Sequence, residues 1–119
     1  MAVLTRDQIV QQRELQTETV PVPEWGGEVI VRALSGRERD AFEAAIVEQK
    51  GRKAIVNTQN IRARLVATAV VDEKGQPIFY PSDVDLLGEQ SAAALDRVFT
   101  VARRLSGMSE DDVEELAKN

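Results

Sequence analysis

The chain has 119 residues, 43% of them hydrophobic and 29% charged, with a formal net charge of −5 and neither cysteine nor histidine. That length suits one domain with a modest core and no covalent staples. The missing residue types exclude disulfides, thiolate and other common zinc sites, nucleophilic triads with a His base and an imidazole pH switch.

Aromatic residues make up only 4%, so the core must come from Val, Leu, Ile and Ala, which fits helix packing better than a large β-sandwich. No apolar run approaches the ~20 residues that span a bilayer, and the start Met1-Ala2-Val3-Leu4-Thr5-Arg6-Asp7 has no signal-peptide core. A cytoplasmic location with no membrane partner is expected.

Thr5 and Gln8 stand at capping-box spacing and predict a short helix over 6–12. A strand signal follows in Thr17, Thr19, Val20 and Val22, and a second in Glu28 to Arg32, where β-branched Val29, Ile30 and Val31 dominate. Gly26-Gly27 between them tolerates the positive φ of a tight turn, so an antiparallel hairpin is predicted over about 15–34. Pro21 and Pro23 lack backbone donors, which confines their strand to a sheet edge. Trp25, beside the turn, is a candidate binding anchor, although covering one end of a small core is the commoner role for such an aromatic.

Ser35 with Glu38 three residues on repeats the capping-box spacing and opens a helix expected to reach Lys50, with Phe42, Ala45 and Ile46 on one face. Gly51 should end it, and Lys50, Arg52 and Lys53 then complement the helix dipole from a loop. Ile61, Leu65 and Ala69 recur every four residues, with Val66 and Val70 beside them, predicting a deeply buried helix over 58–71. Asp72-Glu73-Lys74-Gly75-Gln76-Pro77 is a turn signal, and Ile78-Phe79-Tyr80-Pro81 a short extended segment. Ser82 is expected to cap a helix through Leu87, ended by Gly88.

The long helix, over 91–105, carries the stripe Leu95, Val98, Phe99, Ala102 and Leu105, with Asp96, Arg97, Arg103 and Arg104 on its wet side. Gly107 stops it, and Ser109 opens a last acidic helix through Leu116. The expected fold class is therefore α+β: a mostly α-helical small domain with one N-terminal antiparallel β-hairpin. Residues 1–108 make the globular part, and 109–119 an acidic C-terminal helix or tail.

Paired carboxylates such as Asp83 with Asp85, or Asp72 with Glu73, have the chemistry of an acid/base pair or a Mg²⁺ site. They fall in turns and helix starts, where Asp caps and complements the dipole, so no catalytic, cofactor or metal site is assigned. Gly26-Gly27 precedes a strand rather than a helix and lacks the lysine and hydroxyl of a phosphate loop. Charge is uneven: Lys50, Arg52, Lys53, Arg62 and Arg64 form a stretch without an acid, while Glu110 to Asn119 contributes −4 of the net charge. An acidic protein with no aromatics interleaved among those basic residues is a poor nucleic-acid binder. Basic stretch and acidic tail can instead meet between subunits. Several apolar helix stripes in a small volume also point to self-association, with the first or last helix as interface.

Three stretches carry a family resemblance. Val22 to Phe42 reads Val-Pro-Glu-Trp-Gly-Gly-Glu-Val-Ile-Val-Arg-Ala-Leu-Ser-Gly-Arg-Glu-Arg-Asp-Ala-Phe, Arg64 to Phe79 reads Arg-Leu-Val-Ala-Thr-Ala-Val-Val-Asp-Glu-Lys-Gly-Gln-Pro-Ile-Phe, and Ser91 to Phe99 reads Ser-Ala-Ala-Ala-Leu-Asp-Arg-Val-Phe. Together with the short N-terminal helix, their order resembles the tail assembly chaperones of long-tailed (siphovirus-type) double-stranded DNA phages. The resemblance implies a non-enzymatic interaction protein without a cofactor, which coats the tape measure protein and self-associates in the host cytoplasm. It also implies a longer product of ribosomal frameshifting that recruits the major tail protein, and absence from the mature virion. Trp25, or Val113 and Leu116, are the apolar anchors expected to hold the tape measure protein. Ala117-Lys118-Asn119 can be encoded by a slippery heptamer, A AAA AAC. The alternative is a structural virion component such as a head-tail connector or tail completion protein. A small transcriptional regulator is disfavoured by the acidic charge.

Overall fold

The computed structural model describes residues 2–56 and 60–108, and for 48–50 and 53–56 the backbone alone. A short helix, α1 (Arg6–Val10), precedes strand β1 (Thr17–Val22), which pairs antiparallel with β2 (Gly27–Arg32). Helix α2 (Gly36–Ile46) leads into a two-stranded ribbon of β3 (Val47–Lys50) and β4 (Lys53–Val56). Helix α3 (Ile61–Ala69), the two-residue strand β5 (Val70–Val71), a short α4 (Val84–Gly88) and the long α5 (Ala92–Leu105) complete the order. The expected α+β class holds, with the three-stranded sheet ordered β1-β2-β5 and all pairs antiparallel. Proline-bearing β1 lies at its edge, as the missing donors require.

Strand alternation sends one face of the sheet inward. Val20, Val22 and Val31 are buried on it, and their partners across the ladder follow the same parity, with Val20 opposite Val29 and Val22 opposite Gly27. Helix α5 lies over this face and α3 packs against α5. The α5 stripe is the one its spacing predicts: Leu95, Val98, Phe99 and Ala102 are buried, with Leu105 half-buried behind them. Leu65, Val66 and Ala69 of α3 meet it with no exposed surface. Alanines at 63, 69, 94 and 102 are also fully covered or nearly so, which lets the helices approach closely.

Two ion pairs link α5 to β1 and to the Pro23–Trp25 turn that follows it. Arg104 Nη2 donates to both carboxylate oxygens of Glu18 at 2.7 and 2.9 Å, and Arg97 Nε to both oxygens of Glu24 at 3.1 and 3.0 Å. The two arginines are seven residues apart and so lie on one face of the helix. At the end of α5, Gly107 adopts φ +72°, and the amides of Gly107 and Met108 donate back to Arg104 and Arg103 carbonyls, a Schellman closure.

Both predicted capping boxes form, Thr5 with Gln8 and Ser35 with Glu38. Three local expectations change. Helix α2 stops at Ile46 instead of Lys50, because 47–50 pair with 53–56 and Gly51, at φ +64°, becomes the first residue of the ribbon's turn. Helix α3 yields Val70 and Val71 to the sheet, where they pair with Val31 and Ile30, as suits β-branched residues. Ser82 does not cap α4. A 3₁₀ turn over Pro81–Asp83 starts earlier, and Asp83 Oδ2 accepts the Tyr80 amide at 2.8 Å. The acidic helix expected after Ser109 lies outside the described residues.

Candidate protein-binding surfaces

Asp72, Asp83 and Asp85, three of the four carboxylates that sequence spacing offered for chemistry, accept structural hydrogen bonds. Asp72 Oδ1 accepts the amides of Lys74 and Gln76 inside its turn, Asp83 accepts the Tyr80 amide, and Asp85 Oδ1 accepts Asn60 Nδ2 at 3.1 Å. Among the described residues no group of three or more acids is placed to hold a metal ion, and no helix is long and apolar enough to cross a membrane. Glu24 has a displaced carboxyl: its own backbone amide first, and then the Arg97 guanidinium, hold it below the ordinary range.

What the surface does offer is apolar. The large exposed hydrophobic side chains fall mainly in two places: Val3, Leu4, Ile9 and Val10 around α1, and Ile78, Tyr80 and Leu86 around α4. Helix α1 buries no residue. Its hydrogen bonds are its own, within residues 5–12.

The segment from Pro77 to Pro81 separates two grooves that share Phe79. One, of about 330 Å³, lies between α2 and α3; its floor holds Ala41, Phe42, Ala45 and Ala67, with Glu38 and Arg64 at its rim. Ala41 and Ala45 are one turn apart on α2 and exposed, the small side chains over which another backbone can pass closely. The other, of about 440 Å³, is bounded by Trp25, Ile78, Phe79, Leu86 and Leu87. Neither groove shows as a periodic pattern in the sequence. The readable signal is the apolar run Ile78-Phe79-Tyr80 placed between two turn signals, too much apolar surface for a plain loop.

Trp25 packs half-buried against the core, the commoner role for such an aromatic, and also lines the second groove. The basic stretch is spread out. Lys50 and Lys53 are opposite partners in the β3–β4 ribbon, and Arg52 lies exposed in its turn. Arg62 reaches α5, where Nε donates to Asp96 at 3.4 Å and the guanidinium stands 5.9 Å from the Phe99 ring centroid. Arg64, two residues on and so on the other side of α3, is half-buried at the first groove. Val113 and Leu116 lie outside the described residues.

A family model described as phage tail assembly chaperone matches residues 6–119. No curated protein matches the chain. Among solved structures, the tail assembly chaperone of bacteriophage HK97 is similar in fold, with a TM-score of 0.58 at 21% identity over 83% of this chain and 94% of that one. The family match covers the hairpin, both grooves and the long helix, and the chain belongs to the phage tail assembly chaperone family.

Proposed function

We propose that this protein holds the tape measure protein during tail building, keeps it soluble in the host cytoplasm, and leaves before the virion is complete. The observation that supports the reading is the groove between α2 and α3, whose lining includes Ala41, Ala45 and Ala67 together with the cation of Arg64. A long helical rod would present apolar anchors at helical spacing to such a slot, and self-associated copies would repeat the slot along the rod. A longer frameshift product would add a segment that recruits the major tail protein. No step in this role needs an enzyme or a cofactor.

Co-expression tests the reading. Tape measure fragments should be soluble with this protein and insoluble without it, and Ala45→Glu, which places a charge on the exposed floor of the groove, should abolish the effect. Equal solubility in all three cases would overturn the client assignment, and recovery of the chain in purified particles would favour a structural virion component instead. The longer product is checked at the codons of Ala117-Lys118-Asn119: silent recoding of Lys118 from AAA to AAG should remove it and leave the short product unchanged.

A further inference from the structure

We infer that Asn60 and Gly88 form a clasp that holds α4 against the start of α3, and with it the wall that both grooves share. Val84 of α4 lines the α2–α3 groove, and Leu86 and Leu87 line the Trp25 groove. Neither Asn60 nor Gly88 lines either one, so the pair positions these surfaces whatever molecule fills them.

Asn60, at φ +57°, is the only residue other than glycine with a positive φ among the described residues, a left-handed conformation that Asn adopts more readily than most side chains. It stands at the N-cap of α3 and makes no cap hydrogen bond, although capping is the common use of Asn at that position. Its side chain reaches across instead: Nδ2 donates to Oδ1 of Asp85, in the first turn of α4, at 3.1 Å. Gly88 completes the fit. A Cβ there would stand 2.5 Å from Asn60 Oδ1 and 3.1 Å from its Cγ, whereas a Cβ on each of the other glycines would meet nothing within 4 Å. Gly88 has no positive φ, so it serves by leaving space rather than by backbone freedom.

The clasp matters because α4 is short. Five residues make too little helix to persist alone, and its end is closed only by the amides of Glu89 and Gln90 donating to the Leu86 and Leu87 carbonyls. Buried Leu87 gives that turn one anchor. The Asn60 amide, bonded to Asp85 and lying over the bare Cα of Gly88, gives it a second.

Amide hydrogen exchange of the full chain tests the clasp without any tape measure protein. Ala is the better helix former, so Gly88→Ala should raise protection of the Glu89 and Gln90 amides in an Asn60→Gly background, where the space above the Cβ is free. With Asn60 present the same change should gain nothing or lose protection, a difference between the two backgrounds of roughly three- to tenfold, the effect of one hydrogen bond on local opening. Asn60→Asp sets two carboxylates against each other and should lower protection of the same two amides while leaving the buried α5 amide of Val98 unchanged. Adding Asp85→Asn to Asn60→Asp reverses donor and acceptor and should restore protection, a rescue that a general loss of stability would not show. The clasp is overturned if Gly88→Ala acts equally in both backgrounds, if Asn60→Asp leaves Glu89 and Gln90 as protected as before or lowers Val98 equally, or if the added Asp85→Asn restores nothing.

Discussion

Arg32 Nη2 donates to both carboxylate oxygens of Glu38, at 2.8 and 2.6 Å, while Glu38 Oε1 also accepts the Ser35 amide at 3.0 Å. From Nη1 the same arginine donates to the Gly75 carbonyl at 3.1 Å. One guanidinium thus ties the end of β2 to the first turn of α2 and to the turn before Pro77, the three places that set the position of the α2–α3 groove. The pair is largely covered, with side-chain exposures of 18% and 27%, and Arg32 Nε is buried without a hydrogen-bond partner.

Glu38→Ala should therefore cost about 2–3 kcal/mol, because it leaves a mostly buried cation unpaired and removes the cap that reaches back to Ser35. Arg32→Met should cost less, about 1 kcal/mol, since the apolar replacement keeps the packing and frees Glu38 toward water. Urea midpoints at constant slope measure both. The double variant should lose less than the sum of the two.

The two glycines of the first hairpin should behave differently. Gly26 has φ +74° and closes the Pro23–Trp25 turn with its amide donating to the Pro23 carbonyl at 3.0 Å, whereas Gly27 is the first residue of β2, opposite Val22. Gly26→Ala should cost about 1–2 kcal/mol for a forced left-handed residue, and Gly27→Ala should stay within about 0.5 kcal/mol. Thermal unfolding of the two variants side by side decides it.

Glu24 gives the fold a pH dependence. Its folded-state carboxyl titrates below the ordinary value of 4.5, so the unfolded chain takes up a proton first as pH falls. The stabilisation is complete above about pH 4.5 and is lost as pH drops through the lower folded value. Glu24→Gln should melt below the unchanged protein at neutral pH, and the gap should close in acid. Arg97→Gln should produce a smaller pH-dependent gap, because the backbone amide of Glu24 is the larger cause of the depression. A gap that persists unchanged in acid would contradict the assignment.

Local signals were legible and long-range ones were not. The boxes at Thr5 and Ser35, the edge strand with Pro21, the α5 stripe and the Gly107 stop each depend on residues within one or two turns. The overrun of α2 has an equally local cause: Glu48, Gln49 and Lys50 are good helix formers, and only pairing with 53–56 makes them a strand. Gly51-Arg52 carried the clue, since Gly in the first central position marks a primed two-residue turn. The grooves depend on Ile78 to Pro81 crossing between α2 and α4, a contact between segments over thirty residues apart that no window of the sequence contains.

Arg62 and Arg64, neighbours in one basic stretch, should separate cleanly in function. Arg62 is more than half exposed, with Asp96 and the Phe99 ring beside it, so Arg62→Ala should change stability by no more than about 0.5 kcal/mol and leave the proposed tape measure binding untouched. Arg64 is half-buried on the rim of the α2–α3 groove with no carboxylate partner among the described residues. A helix seated on Ala41 and Ala45 would place its side chains beside that guanidinium, and an acid there would form a charge-assisted pair sheltered from water. Arg64→Ala should weaken binding of a tape measure fragment by about 1.5 kcal/mol, roughly tenfold in Kd, and should reduce its sensitivity to salt. Titration calorimetry at two ionic strengths reads both effects. Equal losses for Arg62→Ala and Arg64→Ala would mean that the basic stretch acts through its charge alone, and the α2–α3 groove would no longer be the client's seat.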